Sequence, residues 1–223
     1  MMRATLTAIA LVASTPSHAQ SDVSIESWPC CEAQRAAAAH SPEAEVIAAM
    51  PNRSFRKGST LWLKIDGNRS VRIVDCVAFA CRGDDFRRHE LVAWWPKHRY
   101  YVIDVVFDKG MEAYLISERD GRRTSVFAPP VLSLSGRYAV AANLGPDYYD
   151  ALQIIDMSVD PPTASEVTSR PTCSGNKTLL LRPNPVWLDD SRVAFEGKPF
   201  FGDDDPNAKQ VLRIVDGKVE WEC

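Results

Sequence analysis

The chain has 223 residues, with 26 Lys+Arg against 29 Asp+Glu and a formal net charge of −3. Its pI near 5.8 leaves no basic field of the kind that holds nucleic acid or an anionic lipid surface. No segment approaches the roughly 20 apolar residues of a membrane-spanning helix.

Taken from the start, Met1 to Gln20 has one early cation, Arg3, and an apolar run from Leu6 to Ala13. Ser17-His18-Ala19 follows as a small-x-small cleavage signal. Residues 1–19 therefore read as a secretory signal peptide, and the expected location is periplasmic or secreted. Its removal leaves 204 of the 223 residues and, with Arg3 the only charge lost, a net charge of −4. A lipid anchor on Cys30 is disfavoured, because Ser27-Trp28-Pro29 lacks the small and apolar residues of a lipobox. Residues 20–55 read as an N-terminal segment with two short helices, Cys31–Ala39 and Ser41–Met50. Ser41 suits the N-cap and Pro42 the first helical position, while Glu43 and Glu45 place negative charge at the positive end of the helix dipole.

Residues 56–223 read as β throughout. Leu61–Ile65 turns on Asp66-Gly67-Asn68 and returns as Ser70–Cys76, a strong local hairpin signal. After a charged insert, Arg82–His89, come Glu90–Trp95, Arg99–Phe107 and Glu112–Glu118, with Asp120-Gly121 turning into Arg123–Phe127. Strands are then expected on either side of a tight turn at Ser135-Gly136, at Leu152–Ser158, Ala164–Ser169, Thr178–Leu181, on either side of Asp189-Asp190, at Val211–Val215 and at Lys218–Cys223. About fifteen short strands spaced by about ten residues is the cadence of an all-β sandwich, barrel or propeller.

The chain also repeats itself. Pro130, Val131, Arg137 and Ala139 match Pro185, Val186, Arg192 and Ala194 without a gap. Leu61–Asn68, Tyr114–Gly121, Leu152–Ser158 and Leu212–Lys218 each set an apolar strand before an Asp-containing turn. Repeats of several strands spaced about 40 to 50 residues apart are the signature of propeller blades. On these residues the chain resembles the blade repeats of TolB-like or WD40-like periplasmic propellers. In those repeats a proline-apolar start leads to Trp-Ser-Pro-Asp-Gly-Lys and an apolar strand. Ser133-Leu134-Ser135-Gly136-Arg137 keeps the serine, glycine and cation of that motif; Trp187-Leu188-Asp189-Asp190-Ser191-Arg192 keeps the tryptophan and an aspartate. Two clear and two vague copies cover about half of the mature chain. The resemblance implies an all-β, small or atypical propeller-like array of antiparallel blades and a protein-binding role, and it names no catalytic residue.

The six cysteines all lie beyond the leader, so disulfides are expected in an oxidising compartment. Cys173 with Cys223 and Cys76 with Cys81 are the first pairings considered. The second requires a turn, since strand residues five apart are about 16 Å apart. Cys30 and Cys31 remain for other partners. A zinc site is the disfavoured rival, because C-x2-C spacing is lacking. Asp203-Asp204-Asp205 with Asn207 offers oxygen ligands but not the spaced set that calcium takes; a solvated acidic turn is the preferred reading, and no metal or cofactor is assigned. His40, His89 and His98, with Asp84, Asp85 and Asp104, come with no nucleophile motif and read as surface residues. The sequons at Asn52, Asn68 and Asn176 matter only in a eukaryotic secretory pathway.

The paired aromatics Trp94-Trp95, Tyr100-Tyr101 and Tyr148-Tyr149 are the binding candidates. Neighbours on a strand face opposite ways, so one of each pair is expected in the core and its partner is available for exposure. The functional expectation is a non-enzymatic binding or interaction module for a protein or cell-envelope component. The alternative is an extracytoplasmic hydrolase using Asp84, Asp85 or Asp104.

Overall fold

The computed structural model describes residues 42–76, 86–107, 110–144, 150–168, 179–181, 185–199, 209–215 and 218–222. The predicted leader, the predicted helix 31–39 and the acidic turn 203–205 lie outside these residues. The described part is mostly β, in four antiparallel sheets with one helix, α1 (Pro42–Ala49). Sheet I holds β1 (Ser54–Lys57), β2 (Thr60–Ile65) and β3 (Arg69–Val74). Sheet II holds β4 (Arg87–Trp95), β5 (Tyr100–Phe107), β6 (Gly110–Ser117) and β7 (Arg123–Val126). Sheet III holds β8 (Val131–Leu132), β9 (Tyr138–Leu144), β10 (Asp150–Asp156) and β11 (Thr163–Glu166). Sheet IV holds β12 (Leu179–Leu181), β13 (Val186–Trp187), β14 (Arg192–Pro199), β15 (Lys209–Val215) and β16 (Lys218–Glu222), with β12 and β13 both pairing with β14. In sheets I to III each strand pairs with the next in the chain, as tight turns dictate.

β1 was not foreseen. It begins at Ser54, so the β region starts ahead of the expected boundary at residue 56. Ser-Phe-Arg-Lys carries little strand signal of its own and is held by pairing with β2, Phe55 opposite Trp62. The Asp66-Gly67-Asn68 turn has three residues between the paired Ile65 and Arg69, with Gly67 and Asn68 both at positive φ, as turn residues tolerate.

The sheets stack in chain order, face against face. Leu61 and Leu63 of sheet I pack on Leu91, Tyr101, Ile103 and Tyr114 of sheet II. The opposite face of sheet II, with Tyr100, Val102 and Leu115, packs on Ala139, Ala141 and Ile155 of sheet III. Val140, Leu152 and Ile154 on the other face of sheet III meet Val193, Phe195 and Leu212 of sheet IV. A strand exposes alternate residues to opposite faces, so a sheet between two others must be apolar at every position. The run Tyr-Tyr-Val-Ile at the start of β5 is buried throughout for this reason.

The internal repeat occupies equivalent places, offset by one residue from the ungapped match. Val131 pairs with Val140, whereas Val186 pairs with Ala194. The backbone agrees: Arg137 O accepts from Met157 N, and it is Ser191 O, not Arg192 O, that accepts from Ile214 N. The turn in sheet IV is one residue shorter, closed by Asp189 accepting from Ser191 N and Arg192 N at 2.8 and 2.9 Å. Since one residue of register reverses every side chain, Ala139 corresponds to Val193, not to Ala194. Both face the preceding sheet.

Candidate functional site

Two turns meet at the junction of sheets II and III. Between β4 and β5, Pro96–Arg99 closes with Arg99 N and His98 N both donating to Trp95 O, at 2.7 and 3.2 Å, and Arg99 in the left-handed region. Between β8 and β9, Ser133–Arg137 closes with Ser133 N donating to Tyr138 O at 2.8 Å and Gly136 at φ +77°. Glycine is required there twice over. The left-handed backbone favours it, and a Cβ would stand 2.6 Å from Nε2 of His98. Lys97 Nζ donates to Ser135 O at 2.6 Å and ties the turns together.

Between these turns lies a depression of about 230 Å³, walled by Trp95, Lys97, His98, Leu132, Leu134 and Ser135. Leu134 is 77 % exposed. His98 Nε2 is buried without a hydrogen-bond partner. Burial, and then the charge of Lys97, lowers the His98 pKa below its usual value, so the neutral ring is favoured. None of the lining residues is a carboxylate. A depression of this size is smaller than pockets that engulf a whole small molecule. It accommodates one side chain or a group of similar size against a largely apolar wall.

A β-bulge aims Trp95 at this depression. The β4–β5 register shifts between Leu91 and Ala93, so Val92 and Ala93 both face sheet III and the alternation beyond them is reversed. Trp94 consequently turns to sheet I and Trp95 to sheet III. Without the extra residue the two tryptophans would exchange faces.

The other aromatic candidates are structural where described. Tyr101 is fully buried and its hydroxyl donates to Lys64 O at 2.6 Å; burial is the main cause that pushes its pKa up to about 12. Tyr100 is also buried, with its hydroxyl donating to Asp160 at 2.7 Å. The expectation that one ring of this pair is available for exposure fails, because sheet II is covered on both faces. Trp94 lies under the Arg53 guanidinium at 4.1 Å and donates to Glu118 at 3.3 Å. Tyr148 and Tyr149 lie outside the described residues. Trp95 alone of the described four lines the depression. Leu134, which also lines the depression, was not among the candidates, although a large apolar side chain within a serine-glycine turn is the signal that marks it.

The titratable candidates separate. Asp84, Asp85 and His40 lie outside the described residues. Asp104 stands directly opposite Glu90 on paired strands. Its Oδ1 is buried and unpartnered, and burial followed by the Glu90 charge raises its pKa. It lies four residues along β5 from Tyr100, or about 13 Å at strand spacing, and does not line the depression. His89 is not a surface residue. It is buried, with Nδ1 3.1 Å from Asp75 Oδ1, and that carboxylate also accepts from His89 N at 2.9 Å and from Arg56 at 2.8 Å. Arg56 in turn forms a two-pronged pair with Glu43 at 2.6 and 2.8 Å. Glu43, read as a helix-dipole residue, is thus the anchor of α1 on the β region, and it also accepts from Leu91 N at 2.8 Å.

Among the described residues no three His, Cys, Asp or Glu side chains are grouped to hold a metal, and no helix is long and apolar enough to cross a membrane. Cys76 is not a free thiol; Cys30, Cys31, Cys81, Cys173 and Cys223 lie outside the described residues. Asn52 and Asn68 sit on exposed turns, and Asn176 is outside the described residues. Comparison with family models, with curated proteins and with solved structures found no match.

Proposed function

We propose that this chain is a non-enzymatic, extracytoplasmic binding module. Its partner is a protein or a cell-envelope component, and the Trp95–Leu134 depression takes one apolar side chain of that partner. The observation that carries this reading is the depression itself: a shallow, acid-free cleft with an exposed leucine and a half-buried tryptophan, fixed by two interlocked turns. Rigid strands with function on their connecting turns are how β scaffolds commonly bind. The scaffold is best described as an open, propeller-like stack. In support, β2, β6 and β10 each lead into an Asp-containing turn, and each sheet packs on the next in chain order. Export through cleavage after Ala19 would place the module in the periplasm or outside the cell, where Cys76 would pair with Cys81.

The test is affinity capture from cell-envelope extract with wild type, Trp95→Ala and Leu134→Asp. A partner kept by wild type and lost by both folded variants supports the module; a partner kept by all three sinks this site. Amino-terminal sequencing of the exported protein should begin at Gln20, and an uncleaved product would remove the extracytoplasmic assignment. The hydrolase reading draws on one observation, the Asp104–Glu90 carboxylate pair with Asp104 raised. It predicts hydrolysis that Asp104→Asn abolishes.

A further inference from the structure

Among the described residues, sheet I is packed on one face only. Leu61, Leu63, Val71 and Ile73 turn toward sheet II, so strand alternation sends Phe55, Trp62 and Arg72 to the opposite side. The register places Phe55 opposite Trp62 and Trp62 opposite Arg72. The two rings stack with centroids 5.8 Å apart and planes within 8°, and the Arg72 guanidinium lies 5.8 Å from the Trp62 ring centroid. A row of phenylalanine, tryptophan and arginine therefore crosses all three strands. Val74 flanks it, 46 % exposed, and Phe55 itself is 47 % exposed.

Among the strand residues of this face the charge is one-sided. Lys57, Lys64 and Arg72 are exposed on the same face, and its remaining strand residues, Thr60 and Ser70, are neutral. Three cations and no carboxylate occupy one sheet face of a chain whose net charge is −3. A cross-strand aromatic pair alone stabilises a sheet, but that role does not require its strand neighbours on the face to be cationic. Tryptophan and arginine at the centre of a patch, with charge at its rim, is the composition of a protein contact surface. Opposite charge on the partner would steer its approach.

We propose that the outer face of sheet I docks an acidic segment of a partner protein. Partner carboxylates meet Lys57, Lys64 and Arg72, while an apolar side chain rests on Phe55, Trp62 and Val74. This face lies on the side of sheet I away from sheet II, so it is separate from the Trp95 depression and stands or falls independently of it.

The experiment uses the full chain and three defined probes: a random Glu/Tyr copolymer, a Lys/Tyr copolymer and polygalacturonate. Binding is followed by Trp fluorescence and by anisotropy of labelled probe across a salt series. The expected result is saturable binding of the Glu/Tyr copolymer that weakens as salt rises. Lys57→Glu, Lys64→Glu, whose side chains are exposed, and separately Trp62→Ala should each weaken it at least tenfold, while Val159→Asp, at an exposed position outside sheet I, leaves it unchanged. Unchanged binding by the charge-reversed variant with native near-UV circular dichroism would overturn the proposal, as would no binding of the Glu/Tyr copolymer. Binding of polygalacturonate alone would assign the face to an acidic carbohydrate and overturn it too. So would self-association in sedimentation that Trp62→Ala abolishes, because a second copy would then be the occupant.

Discussion

The first and last junctions of the stack are held by different forces. Between sheets I and II, charged groups supplement the apolar core. Arg56 joins Glu43, Asp75 and the His89 carbonyl, and buried Glu118 joins Arg53, Arg99 and Trp94. Between sheets III and IV the contact is largely apolar, with Trp187, Phe195 and Leu212 against Tyr138 and Val140, and Trp221 tilted against Phe195. Its polar ties include Trp187 Nε1 donating to Val131 O at 2.9 Å and Ser135 N to Asp190 at 2.5 Å. An apolar contact tolerates any side chain of suitable volume. An ionic one does not, because each buried charge depends on a partner of fixed geometry.

Substitution at one residue of each junction separates the two. Arg56→Ala leaves Glu43 and Asp75 without the cation they share and should lower the unfolding free energy by about 3–5 kcal/mol. Phe195→Ala opens a cavity and should cost about 3–5 kcal/mol at most. The conservative replacements sharpen the contrast. Phe195→Leu should cost less than about 1.5 kcal/mol, whereas Arg56→Lys keeps the charge but loses the fork that spans two carboxylates and a carbonyl. Urea midpoints would settle this, and an Arg56→Lys variant as stable as Phe195→Leu would erase the distinction.

Gly136→Ala comes next. The left-handed backbone and the 2.6 Å approach to His98 Nε2 both oppose a Cβ, and about 1–3 kcal/mol is expected from the strain. The same change should push the two turns apart and weaken whatever the depression binds. A Gly121→Ala control meets a comparable clash, 2.8 Å to Val71 Cγ2, but lies outside the depression. Equal loss of binding in both would mean that global loosening, not the local turn, is being read.

What could be read from the sequence follows the same division. Apolar periodicity and Asp-Gly or Ser-Gly turns located nearly every strand, because those signals are local. The ionic junction was hidden: Arg56 meets partners 13, 19 and 33 positions away, and nothing in Ser-Phe-Arg-Lys marks a buried cation. The Trp94-Trp95 pair shows the limit within a single strand. Its alternation was legible, but which tryptophan faced which sheet depended on the bulge at Val92, an extra residue visible only once the partner strand is present. The one-residue offset between the repeats was lost in the same way, since an ungapped match of four residues cannot register a shorter turn.

The smallest expected effects are pH dependences of opposite sign from two residues of the β4–β5 hairpin, His98 and Asp104. His98 has its folded pKa lowered, chiefly by burial. The unfolded chain therefore binds more protons than the folded one as pH falls below about 6.5. The stability it contributes is present above that value and is lost on acidification through the lowered folded pKa. Asp104 has its folded pKa raised, chiefly by burial and then by Glu90. Its contribution is present below about 3.8 and is lost as pH rises through the raised folded value. Asp104→Asn should therefore stabilise the chain at neutral pH, by on the order of 0.5 kcal/mol from relief of like charges on paired strands, and should flatten the acid limb. His98→Gln should remove the decline near pH 6 and leave the acid limb unchanged. Urea midpoints measured from pH 3.5 to 8 check both, and a neutral-pH loss of stability in Asp104→Asn would mean that the ionised carboxylate is satisfied by a partner and that the hairpin holds its charge without strain.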